Sequence, residues 1–299
     1  MWHPQFACPE CRGDVSDRGE VLHCERCGEQ YGRTNGVWRF LTSNRGERIA
    51  RFAAQYRAVR HAEGRTVRPP DYYRLLPNVP RDDPHAREWQ VRRETYAHLL
   101  RRVLASGLPS NAVLDLGAGS GWLSHRLGAL GHRVVAVDAL DDDGDGLGAV
   151  RRYDASVLAV QADFDALPFA PGQFDLVIFN GSLHYAPDVH ASLAEAHRML
   201  GPNGAVVVMD SPMFAADGDG AAMVADRLRG FATDFGIDEP VQAGRGYLTF
   251  ASLAAAASAL RLQAEFVPSR GPIGWRVRRG LARFRLGRQP AAFGLWVAR

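Results

Sequence analysis

The sequence contains no lysine: its 36 Lys+Arg residues are all arginine. That absence excludes a Walker-type phosphate loop, a kinase fold with its strand lysine, a Schiff-base aldolase and a pyridoxal-phosphate enzyme, because each needs an amine that a guanidinium cannot supply. Long apolar runs are also missing. No stretch of about 18 apolar residues exists, so no transmembrane helix is expected. Residues 1–11 lack a basic segment leading into an apolar one and do not read as a signal peptide. Cysteine is scarce, and all four cysteines fall before residue 28. A disulfide-built secreted protein spreads its cysteines through the fold, so a reducing, cytoplasmic location is expected.

Strong net charge is absent too. The +3 total argues against a surface built throughout for nucleic acid, yet it averages three unlike segments. Residues 1–110 carry +6, residues 111–210 carry −8 and residues 211–299 carry +5.

What is present begins with Cys8-Pro-Glu-Cys11 and Cys24-Glu-Arg-Cys27, two CxxC knuckles twelve residues apart. Each knuckle puts two thiolates on one tight turn, and two facing turns make a tetrahedral site for structural Zn²⁺. Such a site supplies folding free energy that about forty residues cannot obtain from a core of their own. Redox pairs or free thiols are the alternative. Residues 1–42 are read as a zinc ribbon, a docking surface for a protein partner or RNA. Residues 43–110 are read as a helical linker or cap, interrupted at Arg68-Pro69-Pro70.

From residue 111 apolar strands alternate with helices, the pattern of a parallel sheet covered on both faces. Strands are expected at 112–116, 133–137, 157–161, 174–180 and 205–209, and again near 262–267 and 292–298. Helices are expected at 122–130, 189–200 and 249–260. Residues 211–247 form an insertion that could lid a pocket with Met213, Phe214, Phe231, Phe235 and Tyr247.

Gly117, Gly119 and Gly121 lie where the first of these strands turns into a helix, so the backbone can approach a ligand there. The dinucleotide fingerprint requires its third glycine at 122, which is Trp, so that reading fails on spacing. Asp115, two residues before the first glycine, suits a ligand cation and repels a pyrophosphate. Asp138 ends the next strand, where a carboxylate can accept both hydroxyls of a ribose. The ligand so described has a ribose and a positive centre but no phosphates.

Across residues 90–299 the chain resembles the class I S-adenosylmethionine-dependent methyltransferases of the type 11 kind. The resemblance implies a Rossmann-like α/β fold with a seven-stranded sheet whose last strand is antiparallel. It makes Asp115 to Gly121 the S-adenosyl-L-methionine loop, and Asp138 with Ala139 the ribose contact. By the same resemblance Asp163 and Phe164 hold the adenine, and Asn180 ends the strand that meets the methionine part. His184 would face the methyl donor, either as a general base or as a packed side chain that shapes its loop.

Three functions compete: methylation of a small-molecule or lipid-linked acceptor, methylation of RNA, and a non-catalytic scaffold. The layout, a four-cysteine ribbon before the methyltransferase-like segment, resembles that of bacterial ribosomal RNA guanine-N1 methyltransferases, which implies the second. Arg270–Arg288 also motivates it, with seven arginines, no acid, and Trp275 and Phe284 interleaved. The residues after the fourth strand, Asn180-Gly-Ser-Leu-His-Tyr185, favour the first, and the intact Asp115, glycines and Asp138 disfavour the third. Asp141 to Gly146 begins like a calcium loop, but Arg152 stands where the closing Glu should be, so it reads as a solvated cap.

Overall fold

A computed structural model describes residues 3–17, 19–65, 67–106, 111–154, 157–236, 243–269, 277, 280–281, 283–284 and 286–299. Short strands β1 (Val15–Asp17), β2 (Val21–Cys24), β3 (Gln30–Thr34) and β4 (Val37–Arg39) form an antiparallel meander. Helices α1 (Ser43–Ala62), α2 (Pro70–Leu75) and α3 (Ala86–Arg102) follow. Pro70 opens α2, the position where a missing N–H costs nothing.

Next come β5 (Ala112–Leu116), α4 (Trp122–Ala129), β6 (Arg133–Asp138), β7 (Val157–Gln161) and β8 (Phe174–Asn180). Helix α5 (Val189–Met199) and β9 (Leu200–Met209) complete the parallel part. Asp188 caps α5 by accepting from the Ala191 N–H at 3.0 Å. Residues 211–247 contribute β10 (Met213–Phe214) and α6 (Asp217–Phe235), and β11 (Leu248–Thr249) follows them. The chain ends in α7 (Phe250–Ala259), β12 (Ala264–Pro268) and β13 (Gly294–Ala298).

The main sheet runs β1-β2-β3-β4-β7-β6-β5-β8-β9-β13-β12. Among the described residues it therefore has eleven strands, not the seven expected. The four extra strands join because β4 pairs in parallel with β7, Val37 to Ala159 and Arg39 to Gln161. Residues 112–298 supply the other seven, with β13 antiparallel to β9. Strand β5 is buried at every position, as a central strand covered on both faces must be.

The N-terminal segment is also sewn to the sheet by side chains. Phe6 stacks on Phe40 and Phe169 with ring centroids 5.1 and 5.6 Å apart. Arg12 reaches the buried Glu195 at 2.7 Å and the Leu167 carbonyl at 3.1 Å. Arg198 also donates to Glu195, so this buried carboxylate is fully paired and its pKa is held below the ordinary value against its burial.

Candidate functional site

The loops at the carboxyl ends of β5, β6, β8 and β9 line a cavity of about 530 Å³. In an open parallel sheet ligands bind in this place, where strand order reverses on either side of β5. The β5–α4 turn makes the cavity floor. Gly117 sits at φ +71°, and a Cβ there would lie 2.2 Å from Ser182 Cβ. Only glycine fits, because Ser182 is itself fixed by donating to the Leu116 carbonyl at 2.6 Å.

Asp138 ends β6 facing this turn. Its two carboxylate oxygens accept from the N–H groups of Gly119 and Leu140, each at 2.8 Å. Burial pushes its pKa up to about 6 although both backbone donors pull the other way. Gly117, Gly119, Asp138, Ala139, Asp163 and Phe164 all line the cavity. Asn180 lines it as well, 6 % exposed, with its Oδ1 shielded and lacking a hydrogen-bond partner among the described residues.

Two residues expected at the cofactor turn stand behind it. Asp115 is fully buried, accepts from Ser124 Oγ at 2.7 Å and does not line the cavity. Gly121 opens α4, and a Cβ there would meet Val150 Cγ2 at 2.8 Å, so it serves close packing beneath the turn. Asp163 accepts from the Phe164 N–H at 2.8 Å, and from Arg45 and Arg48 of α1.

The cavity roof comes mainly from residues 43–106. Phe52 and Tyr56 of α1 pack on Tyr185, with centroids 5.6 and 6.1 Å apart. Trp89 and Arg92 of α3 close the far side. The insertion expected to lid the pocket contributes Pro212 and Ala243 to the lining, whereas Phe214 and Tyr247 pack together in a separate small core.

His184 lines the cavity but is 7 % exposed, with its Nδ1 3.2 Å from Ser211 Oγ. Burial, then Arg227 and Arg92, push its pKa down to about 3, which weakens it as a proton acceptor. Sequence reasoning passed over Asp210 and Arg92, which also line the cavity. Asp210 follows β9 at φ +55°, and only its place at a strand end in this fold could have signalled it.

Away from the cavity, the Cys8, Cys11, Cys24 and Cys27 sulfurs lie within 4.8 Å of one another and form no disulfide. The Cys8–Cys27 and Cys11–Cys24 separations are 3.6 and 3.4 Å. Thiolates around a tetrahedral zinc stand about 3.8 Å apart, so the four sulfurs fit that ion. Asp142 Oδ1 accepts from the Gly144 and Asp145 N–H groups at 3.0 Å, a self-capped turn. Of the basic stretch 270–288, Arg283, Phe284 and Arg288 are described; Arg270, Trp275, Arg276, Arg278, Arg279 and Arg285 lie outside the described residues.

Residues 114–208 match the family model described as a methyltransferase domain. The fold is a methyltransferase fold. Magnesium protoporphyrin IX methyltransferase from Synechocystis PCC 6803, solved with bound SAH, superposes with a TM-score of 0.52 at 15 % identity, covering 84 % of this chain and 97 % of that one. Among curated sequences the chain is similar to malonyl-acyl-carrier-protein O-methyltransferase of Erwinia pyrifoliae, 33 % identical over 41 % of this chain and 46 % of the relative. It is also similar to the ubiquinone/menaquinone biosynthesis C-methyltransferase of Rhizobium rhizogenes, 29 % identical over 34 % and 42 %. The chain thus spans less than half the length of these curated relatives. No helix among the described residues is long and apolar enough to cross a membrane.

Proposed function

We propose that the protein is an S-adenosylmethionine-dependent methyltransferase acting on a small-molecule or lipid-linked acceptor. The observation that carries this reading is the pairing of the Gly117–Gly119 turn with the Asp138 carboxylate across the cavity floor. The turn leaves room for a ligand backbone without offering a phosphate nest, and the carboxylate suits a ribose. The unpartnered Asn180 Oδ1 adds an acceptor where the methionine part would lie. Asp163 and Phe164 would hold the adenine, with Arg45 and Arg48 sharing the Asp163 carboxylate. Methyl transfer is an in-line displacement that relies mainly on positioning, and the roof of residues 43–106 supplies the water-excluding wall.

The acceptor reading draws on the aromatic side chains of the roof, Phe52, Tyr56 and Trp89, and on the relatives, whose names speak of a carrier-linked malonyl group and of quinone biosynthesis. The four cysteines would bind structural Zn²⁺, with no open coordination position and hence no part in the chemistry. Methyl-labelled S-adenosylmethionine incubated with the protein and fractionated cell extract tests the function. Label is expected in solvent-extractable small molecules or in a group released from a carrier protein by thioester cleavage; label confined to RNA, or held on protein side chains after that cleavage, would contradict it.

A further inference from the structure

We infer that Asp210 takes the proton from the methyl acceptor, so the acceptor reacts through a hydroxyl or amine that still carries hydrogen. This assignment rests on the methyltransferase reading above and deepens it. Asp210 follows the last residue of β9, beside the Asn180-Gly181 end of β8. A Cβ built on Gly181 would lie 3.9 Å from both Asp210 Cβ and Arg92 Nη2, so the three residues share one corner of the cavity. Both Asp210 oxygens are shielded from solvent, and neither accepts a well-directed hydrogen bond among the described residues, the Thr95 hydroxyl being the side-chain donor within reach. A buried acceptor left unpaired costs about 1–3 kcal/mol, and more when charged. Such a group is tolerated where a ligand brings the missing donor.

The surroundings suit a proton acceptor. Arg92 and Glu88 of α3 act on Asp210, and Arg92 acts on His184 as well, which Arg227 of α6 also faces. Thr95 lies close enough to pull on the carboxylate, but its hydroxyl is engaged with the Val91 carbonyl at 3.1 Å and Ser269 Oγ at 2.9 Å. Burial raises the Asp210 pKa above the ordinary carboxylate value, against the pull of Arg92 and Thr95. That strengthens it as a base, whereas burial weakens His184.

The step balances without another reactant. The acceptor oxygen or nitrogen forms a bond to the sulfonium methyl carbon, the carbon–sulfur bond breaks with its electron pair left on sulfur, and the acceptor's proton passes to an Asp210 oxygen. The methylated acceptor, S-adenosylhomocysteine and a neutral Asp210 result, and Asp210 then passes the proton to water.

The test compares wild type and Asp210→Asn, full chain, in two assays: calorimetric titration with S-adenosylhomocysteine, and labelling of the small-molecule fraction of cell extract. The expected result is S-adenosylhomocysteine affinity unchanged within about twofold and labelling reduced at least about 100-fold. Wild-type labelling should fall on the acid side with a limb above the ordinary carboxylate range. Retained labelling by Asp210→Asn overturns the assignment, as does labelling lost in His184→Asn alone. Lost S-adenosylhomocysteine binding overturns it in favour of a contact to the cofactor's ammonium, and shows in the same titration whether the variant holds its ligand site. A wild type that binds S-adenosylhomocysteine yet labels nothing in any fraction removes the methyltransferase reading and this assignment with it.

Discussion

Asp115 lies buried beneath the β5–α4 turn without lining the cavity. Burial pushes its pKa up to about 7, opposed by the Ser124 hydroxyl and reinforced by Asp138. Because the folded-state value exceeds the unfolded one, the folded protein binds the proton more tightly, and stability falls as pH rises between the two. Relative to wild type, Asp115→Asn should therefore gain melting temperature as pH rises from about 4 to about 7, and hold a constant difference above that. Thermal unfolding of both proteins across this range checks the sign. The sequence made Asp115 a partner for the cofactor's cation; its acid character was legible, but its depth was not. Burial here depends on Ser124 and the β6 strand packing over it, which a local motif does not encode. The same limit hid Asp210, whose surroundings come from α3, more than a hundred residues earlier in the chain.

At the scale of elements, strands β5, β7 and β8 were readable to the residue, because a continuous apolar run bounded by Gly, Asp or Asn has few other interpretations. Pairing of β4 with β7 was not readable. Parallel pairing between segments more than a hundred residues apart leaves no local signature, and the Val37-Trp38-Arg39 run reads equally well as the closing strand of an isolated ribbon. The pairing matters for stability: Arg12, one residue past Cys11, holds Glu195 and Leu167, and Phe6 stacks on Phe169. We expect about one zinc per chain by metal analysis. Removing it with a chelator should lower the melting temperature of the whole protein and not merely of a detached module. A separate low-temperature transition, with the main one unmoved, would show the ribbon to be energetically independent.

Over the whole molecule, the charge asymmetry read from the sequence has a structural counterpart. The basic first third lies against the acidic middle: Arg45 and Arg48 meet Asp163, Arg39 meets Asp141 and Arg60 meets Asp145 at 2.6 Å. Several of these pairs are partly exposed, each worth about 1 kcal/mol or less and screened by salt. About 1 M salt should consequently loosen α1 over the cavity. Limited proteolysis would then show faster cleavage within residues 43–62 than at low salt, and bound S-adenosylhomocysteine would suppress it. Equal cleavage rates at both salt concentrations would mean that apolar contacts of Phe52 and Tyr56 hold the roof instead.

The measurement that tests the central claim most directly is calorimetric titration of the full chain with S-adenosylhomocysteine, alongside Asp138→Ala. Saturable one-to-one binding, weakened at least about tenfold by the substitution, is the predicted result. No binding by the wild type, or equal binding by Asp138→Ala, would contradict it.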